Sequence, residues 1–207
     1  MVSKLLDDEI VIASHNKGKI VEFADLFRDY KLNLSSSADY NIEEPEENGS
    51  SFAANALIKA RTTMIGSGKI AISDDSGLCV DSLNGEPGIY SARWAGPKKD
   101  FAMAMAKIKE KLLELDTENT NAHFFCALAV VWPSEEYKVY EGAVHGNLNF
   151  PPRGNLGFGY DPIFIPTGFD ISFGEMEPAK KHSMSHRAVA FDKLKKELLD
   201  EWWKYRT

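Results

Sequence analysis

Residues 9–30 read EIVIASHNKGKIVEFADLFRDY, and this stretch indicates the class of fold. Its first six residues form a short β-branched run, which predicts a buried strand over 9–14. The apolar residues that follow recur at helical spacing and predict a helix over 17–30. A strand that passes through a tight turn into a helix is typical of the opening unit of an α/β protein.

The rest of the pattern predicts strands in hairpins and a helix near the end of the chain. Strands are predicted over 69–73, 78–82, 123–132 and 137–146, with Asn84-Gly85 as a hairpin turn. Helices are predicted over 52–65 (capped by Ser51), 100–115 and 186–203, the last with Trp202 facing inward. These elements predict an α/β fold with a mixed sheet and flanking helices, arranged as two lobes around a central cleft. No linker divides the chain, so we expect residues 1–207 to form one domain.

Composition and charge argue against several classes of protein. The net charge of −7 disfavours a general nucleic-acid binder, which usually carries a basic excess. The longest apolar run covers residues 124–132, far short of the ~20 residues of a membrane helix. Acidic residues near the start disfavour a signal peptide, and two isolated cysteines, Cys79 and Cys126, suit a reduced compartment. We therefore expect a cytoplasmic protein with no nucleic-acid or membrane partner.

The turn between the first strand and the first helix could bind an anion. Backbone N–H groups at a helix start favour negative charge, and a small residue lets phosphate approach. A strand end followed by an asparagine cap explains the same residues without a ligand, and the Walker P-loop pattern is not present. The candidate phosphate-binding residues are Ser14, His15, Asn16, Lys17, Gly18 and Lys19.

Two adjacent acids, Asp74 and Asp75, follow the predicted strand 69–73. Adjacent carboxylates are costly unless they are paired or bound to metal. Side chains alternate in an extended chain, so one acid can face a cleft while the other braces the scaffold. A simple polar turn would also explain the pair.

An acidic loop over residues 36–50 precedes the second predicted helix. Most of its carboxylates are expected to be solvated. One of them could complete an oxygen-only site with Asp75, because Mg²⁺ typically takes one or two carboxylates together with water and substrate phosphates.

Two later stretches could contact a nucleotide base. In NLGFGYDP, residues 155–162, a base could stack on Phe158 and Asp161 could accept its N–H groups; a Gly-rich loop with a core aromatic is an equal interpretation. The second stretch is KKHSMSHR, residues 180–187, before the last predicted helix; a basic, solvated helix cap with Ser185 as the N-cap is an equal interpretation.

Six motifs in one chain order make the combination specific. They are SHNKGK, ExxGxSFxxNAxxKA, SDDSGL, GxPGIYSAR, GFGYDPxF and SHRxA, and they extend over nearly the whole chain. Together they resemble the Ham1/inosine triphosphate pyrophosphatase family. His15 stands where bacterial members commonly have glycine and Ser73 where they commonly have alanine, and neither change removes a charged group.

The resemblance implies an activity and a role for each motif. Such enzymes hydrolyse the deaminated purine nucleoside triphosphates ITP, dITP and XTP to the monophosphate and pyrophosphate, with Mg²⁺, as homodimers. Asp75 would be the proton acceptor and a metal ligand, and Glu46 the other acidic ligand. The triphosphate would be contacted by residues 14–19, Lys59 and Lys181, and Ser76 would touch the substrate. The base would be surrounded by Phe158, Gly159, Tyr160, Asp161, His186 and Arg187.

Two other functions stay open at this point. Maf-like nucleotide pyrophosphatases would favour other nucleotides, but their opening motif typically has Ser-Pro-Arg where this chain has Asn16-Lys17-Gly18. A non-hydrolytic nucleotide sensor would require loss of an acidic ligand or a phosphate lysine, and these residues are present. A nucleotide panel with pyrophosphate detection, with and without Mg²⁺, distinguishes the three functions.

Overall fold

The computed structural model describes residues 9–30 and 32–199, which contain six strands and six α-helices. The strands are β1 (Glu9–Ile12), β2 (Asn33–Ser36), β3 (Ile70–Val80), β4 (Asn121–Val131), β5 (Tyr137–Leu148) and β6 (Phe164–Pro166). The helices are α1 (Lys17–Phe27), α2 (Phe52–Ser67), α3 (Ser91–Trp94), α4 (Phe101–Glu114), α5 (Pro178–Met184) and α6 (His186–Leu194). A π-helical turn over Lys195–Leu199 continues α6.

The six strands form one mixed sheet in the order β2-β1-β3-β4-β5-β6. Strand β1 pairs in parallel with both β2 and β3, so that Ile10 lies opposite Leu34 on one side and Ile70 on the other. Strand β5 pairs antiparallel with β6. The mixed sheet and its flanking helices confirm the predicted α/β class. Within the residues that the structure describes, no helix is long and apolar enough to cross a membrane.

The chain divides into two compact units, each assembled from separate stretches of sequence. Unit 1 contains the chain up to residue 75, residues 126–142 and the chain from residue 187; unit 2 contains residues 76–125 and 143–186. One domain with two lobes around a cleft stays a prediction.

Unit 1 is held by a core that the opening stretch of sequence helps to build. Ile10 and Ile12 of β1 and Phe23 of α1 are all buried in this core. Phe27 meets Phe191 of α6 edge to face, with ring centroids 4.8 Å apart. Such aromatic pairs add roughly 0.5–1.5 kcal/mol beyond the area they bury. The predicted strand and helix therefore bury their apolar faces together.

Unit 2 has its own core around Phe124 of β4. The Phe124 ring lies 4.8 Å from the ring of Phe164 and 5.1 Å from that of His186, centroid to centroid. Helix α4 adds Ile108, which is fully buried. This helix and the β4–β5 hairpin were both predicted from the sequence and are confirmed within one or two residues of their expected limits.

Side-chain caps explain why α1 and α2 begin where the sequence predicts. Oδ1 of Asn16 accepts from the N–H of Gly18 at 2.9 Å. Oγ of Ser51 accepts from the N–H of Ala54 at 3.1 Å. Each cap satisfies a backbone donor that has no partner within the helix.

A single strand replaces the two that were predicted around the acidic pair. Strand β3 runs without interruption from Ile70 to Val80, and Asp74 and Asp75 lie inside it. The prediction of separate strands over 69–73 and 78–82 was wrong because partners from other elements match both charges, so the buried strand continues through them.

Four short elements were not predicted at all, among them the four-residue helix α3. Strand β2, with the sequence NLSS, is largely polar, and pairing with β1 accounts for its extended structure. Strand β6 has three residues and α5 has seven, too few for a periodic pattern. The closing helix begins at His186 as predicted, while Trp202 lies outside the described residues.

Candidate active site

Strand β3 gives the two acids of unit 1 different surroundings. Asp74 is 2% exposed and lies 3.0 Å from Nζ of Lys19. Asp75 is 6% exposed and accepts a hydrogen bond from Asn55. Successive side chains of a strand point to opposite faces. The structure therefore gives each carboxylate its own hydrogen-bond partners, while the prediction that one acid faces a cleft and the other braces the scaffold stays a prediction.

Helix α2 supplies the partners of Asp75. Nδ2 of Asn55 donates to Oδ2 of Asp75 at 3.1 Å, and Nζ of Lys59 lies 3.5 Å from Oδ1. Asn55 and Lys59 are four residues apart, so they share one face of the helix. Both are buried, which places an amide and an ammonium group on one carboxylate away from bulk water.

Burial and neighbouring charges shift the pKa values of Asp75 and Lys59. Burial raises the pKa of Asp75, although Lys59 and Lys19 oppose the shift. Burial also disfavours the ammonium group of Lys59, but the carboxylates of Asp75, Asp74 and Glu47 outweigh it and raise the pKa of Lys59. Lys59 therefore stays charged at neutral pH. A carboxylate with a raised pKa is a better proton acceptor than an ordinary aspartate, which suits a general base.

The acidic loop reaches the same lysine through Glu47. Oε1 of Glu47 pairs with Nζ of Lys59, and the Glu47 side chain is 27% exposed. The predicted ligand Glu46 is exposed. The loop is also attached to α2, because the N–H of Gly49 donates to Oδ1 of Asn55 at 2.8 Å.

Asp74 belongs to a buried cluster of charges in unit 1. Nη2 and Nε of Arg187 donate to its Oδ2 at 2.7 and 3.3 Å, and Nη1 of Arg187 donates to Oε2 of Glu22. Burial lowers the pKa of Arg187 to about 10, so the guanidinium group stays charged at neutral pH. Arg187 was predicted to contact the base; the structure pairs it with two carboxylates, which favours a role in the scaffold.

The turn between β1 and α1 combines a buried anchor with exposed side chains. Oγ of the buried Ser14 accepts from the N–H of Asn16 at 3.1 Å. Oδ1 of Asn16 accepts from Gly18 and Lys19, so the cap already uses two of the first N–H groups of the helix. The lysine side chains are therefore the better candidates for phosphate contacts here. The exposed residues of the turn are His15, Asn16, Lys17 and Gly18.

Unit 2 contains a second ion pair among the predicted site residues. Nζ of Lys181 lies 2.5 Å from Oδ2 of Asp161, and both side chains are buried. The same oxygen accepts from the N–H of Phe158 at 2.8 Å. Gly157 has a φ of +73°, and a Cβ there would lie 2.1 Å from this oxygen, so the loop requires glycine. Lys181 was predicted to bind phosphate; in the structure Asp161 matches its charge.

Tyr160 and His186, both predicted near the base, are buried in unit 2. The Tyr160 hydroxyl donates to the backbone carbonyl of Ser91 at 2.8 Å, and burial raises the pKa of this phenol. His186 stacks on Phe124 with an angle of 14° between the rings. These contacts favour structural roles for both side chains.

Phe158 is the most exposed aromatic among the predicted base contacts. Its side chain is 44% exposed, and Nζ of Lys181 lies 4.6 Å from the ring centroid. Gly159 beside it has a φ of +68°. Ser76 is half-buried on β3. An exposed ring fixed by glycine turns and by Asp161 suits stacking against a planar ligand.

The carboxylates of Asp75 and of the acidic loop are the candidate ligands for a magnesium ion. Among residues 9–30 and 32–199, no group of three or more His, Cys, Asp or Glu side chains is arranged to hold a metal. Mg²⁺ does not need such a group, since it takes one or two carboxylates and completes its shell with water and phosphates. Asp75 and one acid of the loop, Glu46 or Glu47, are the residues that would hold it.

Three contacts of this site were missed from the sequence. Asn55 had a local signal, because it precedes Lys59 by one helical turn in the same motif. Glu47 could not be separated from Glu46 by spacing. Glu22 lies beside the core residue Phe23, and only its distant partner explains why a carboxylate is buried there.

Comparison with known proteins covers nearly the whole chain. Residues 10–197 match the model of the Ham1 family. The dITP/XTP pyrophosphatase of Caulobacter vibrioides is 52% identical over 192 residues, which are 93% of this chain and 98% of that protein. The dITP/XTP pyrophosphatase of Rhodospirillum centenum is 50% identical over 188 residues, 90% of this chain and 93% of that protein. The solved structure of a HAM1 protein from Coxiella burnetii aligns with a TM-score of 0.85 at 35% identity, over 91% of this chain and 96% of that one. This chain therefore belongs to the Ham1 family.

Proposed function

We propose that this protein is a pyrophosphatase that hydrolyses ITP, dITP and XTP to the nucleoside monophosphate and pyrophosphate, and so removes them from the nucleotide pool. The proposal rests mainly on the buried carboxylate of Asp75, which lies between Asn55 and Lys59 in a chain of the Ham1 family. The names of two relatives, both dITP/XTP pyrophosphatases, support the choice of substrate.

Lysines of unit 1 would match the charge of the triphosphate. Such a substrate carries about four negative charges, so cleavage depends mainly on positioning and charge stabilisation. Lys59 keeps its proton because nearby carboxylates raise its pKa. Lys19 is 18% exposed and Lys17 is exposed, which makes both accessible to a phosphate.

Asp75 would act as the general base. Its carboxylate accepts a proton from the water that attacks the α-phosphorus, and the bond to the pyrophosphate oxygen breaks. Asn55 and Lys59 each hold one oxygen of this carboxylate. Mg²⁺, which we propose as the cofactor, supplies charge neutralisation at the phosphates and lowers the pKa of water when bound.

Phe158 is the base contact that the geometry favours most. A purine could stack on its exposed ring, while Asp161 fixes the backbone at Phe158 and matches the charge of Lys181. We further propose that the enzyme is a homodimer, as the family resemblance implies, and that it is cytoplasmic, as the two isolated cysteines favour. Light scattering of the purified protein tests the dimer.

A nucleotide panel tests the function. Pyrophosphate release is measured with ITP, dITP, XTP, GTP, ATP and pyrimidine triphosphates, each with and without Mg²⁺. We expect release from ITP, dITP and XTP to exceed that from the other nucleotides, and to require the metal. A preference for the unmodified nucleotides would overturn the substrate assignment, and binding of ITP without any turnover would identify a sensor.

A further inference from the structure

The side chain of Asn55 connects two groups that are distant in sequence. Asn55 is fully buried near the start of α2. Its Oδ1 accepts from the N–H of Gly49 at 2.8 Å, and its Nδ2 donates to Oδ2 of Asp75 at 3.1 Å. The two ends of one amide therefore hold the acidic loop and the carboxylate of β3 at a fixed separation.

The contact at Gly49 is close enough to define the position of the loop backbone. A Cβ at Gly49 would lie 2.7 Å from both Cβ of Ala54 and Oδ1 of Asn55. The loop can therefore reach α2 only because residue 49 has no side chain. The acids Glu46 and Glu47 come three and two positions before this attachment point.

The hydrogen bond to Asp75 sets the orientation of its carboxylate group. Asn55 holds Oδ2 while Lys59 lies beside Oδ1, so each oxygen has its own donor. Without Nδ2 of Asn55, the carboxylate could rotate toward Lys59, which it shares with Glu47.

We propose that Asn55 is a positioning residue that sets the acidic loop and Asp75 relative to each other. The proposal rests on the function proposed above, since it assigns Asn55 to the reaction of Asp75. Asn55 would raise the rate by keeping the base and the loop acids in one geometry, and it would contribute little to the affinity for the nucleotide.

Two substitutions distinguish the hydrogen bond from Gly49 from the hydrogen bond to Asp75. Asn55→Ala removes both hydrogen bonds. Asn55→Asp keeps an oxygen that can accept from Gly49 but places a second carboxylate against Asp75. Ser73→Ala is the control, because it removes a buried hydrogen bond from β3 to the Ala56 carbonyl of the same helix without touching Asp75 or Gly49.

The first measurement does not depend on activity. Hydrogen exchange at the Gly49 amide is followed by NMR in the metal-free protein, together with the thermal midpoint. We expect Asn55→Ala to speed exchange at Gly49 by about fivefold or more, because a buried hydrogen bond is worth ~1 kcal/mol or above. Asn55→Asp and Ser73→Ala should leave this amide protected. Unchanged exchange in a folded Asn55→Ala variant would overturn the attachment of the loop.

The second measurement separates positioning from stability. With ITP and Mg²⁺, both Asn55 variants should lose roughly tenfold to a hundredfold in kcat, with KM changed less than about threefold. Ser73→Ala should lower the thermal midpoint and keep kcat. If a folded variant at Asn55 retains the parent's kcat, Asn55 does not position the base. If Asn55→Ala does not fold, Asn55→Ser replaces it.

The two measurements also separate this proposal from the proposed function. A parent protein that releases no pyrophosphate from ITP contradicts the function, while the exchange at Gly49 still reports whether Asn55 holds the loop. If the parent is active but the Asn55 variants change neither the exchange at Gly49 nor kcat, only the role of Asn55 is contradicted.

Discussion

Asp74 and Asp75 are adjacent in sequence, and their surroundings suit them to different roles. Arg187 and Lys19 match the charge of Asp74. Asp75 pairs with Lys59, which it shares with Glu47, and burial raises the pKa of Asp75. An acid whose pKa is raised in this way, next to one that forms ion pairs with Arg187 and Lys19, is a candidate for proton transfer.

Asp75→Asn should abolish pyrophosphate release while the protein stays folded. The amide is nearly isosteric but accepts no proton, and a general base typically contributes 10²–10⁴-fold to the rate. Turnover of ITP and the thermal midpoint are measured on the same preparation. Asp74→Asn is the comparison: it should cost more stability and less turnover, because Arg187 loses a charged partner. A folded Asp75→Asn protein with most of the parent's turnover contradicts the assignment.

The raised pKa of Asp75 also predicts how stability changes with pH. The folded state holds this proton more tightly than the unfolded state, so the group stabilises the fold below its ordinary pKa of 3.8. That contribution is lost as the pH rises from this value through the raised pKa of the folded state. Urea unfolding of the metal-free protein across this range should show the parent losing stability relative to Asp75→Asn. If the free energies of unfolding of the two proteins differ by the same amount at every pH in this range, the pKa of Asp75 is not raised.

The two acids of the loop can be separated by paired substitutions. Glu46→Gln should raise the Mg²⁺ concentration needed for half-maximal turnover and leave stability unchanged, because its side chain is exposed. Glu47→Gln should instead lower the thermal midpoint, since Lys59 loses a charged partner. If Glu47→Gln raises the Mg²⁺ requirement and Glu46→Gln does not, Glu47 is the ligand.

At the scale of elements, local signals predicted helices better than the buried strand. Helix α2 was predicted from Ser51 and its apolar spacing, and both are local properties. Strand β3 was not predicted as one element, because its acids are matched by residues from α1, α2 and α6 that lie far away in sequence. The same reason explains the site: Asp75 and Lys59 were found from their motifs, whereas the pairing of Arg187 with Glu22, 165 positions apart, has no local signal.

The cap of α2 supports the helix that carries Asn55 and Lys59. Ser51→Ala should lower the free energy of unfolding by about 0.5–2 kcal/mol, the usual cost of losing such a cap. Urea unfolding measures the change, and Ser50→Ala, one position before the cap, is the control. We expect kcat to fall less than in the Asn55 variants. No difference between the two serine variants would mean that the cap is not needed for the start of α2.

At the scale of the whole molecule, unit 1 depends on contacts between three separate stretches of chain. Arg187 joins two of these stretches by ion pairs, because it donates to Glu22 on α1 and to Asp74 on β3, which both belong to the first stretch. Its side chain is 2% exposed, so water does not compensate for a missing partner. A buried guanidinium between two carboxylates therefore defines how α6 meets the rest of unit 1.

Arg187→Met should destabilise the protein strongly. Removing one partner of a buried ion pair typically costs about 3–5 kcal/mol, because the remaining charges are left in the interior. Arg153→Met is the control, since Arg153 forms a more exposed pair with Glu175 and such pairs contribute about 0–1 kcal/mol. Urea unfolding measures both variants. Equal losses in the two would contradict the role of Arg187 in the scaffold.

The same variant tests whether Arg187 also recognises the base. A guanidinium group has only donors, so Arg187 could meet the keto oxygen at C6 of hypoxanthine, which adenine lacks. If Arg187 acts only through Asp74 and Glu22, kcat/KM should fall for ITP and ATP together and their ratio should persist. If it contacts the base, the ITP/ATP ratio should shrink by roughly tenfold to a hundredfold, since a charge-assisted hydrogen bond is worth ~1.5–3 kcal/mol. We expect the first result, because both carboxylates already engage the guanidinium group. Phe158 would then be the residue to vary next in the search for base selectivity.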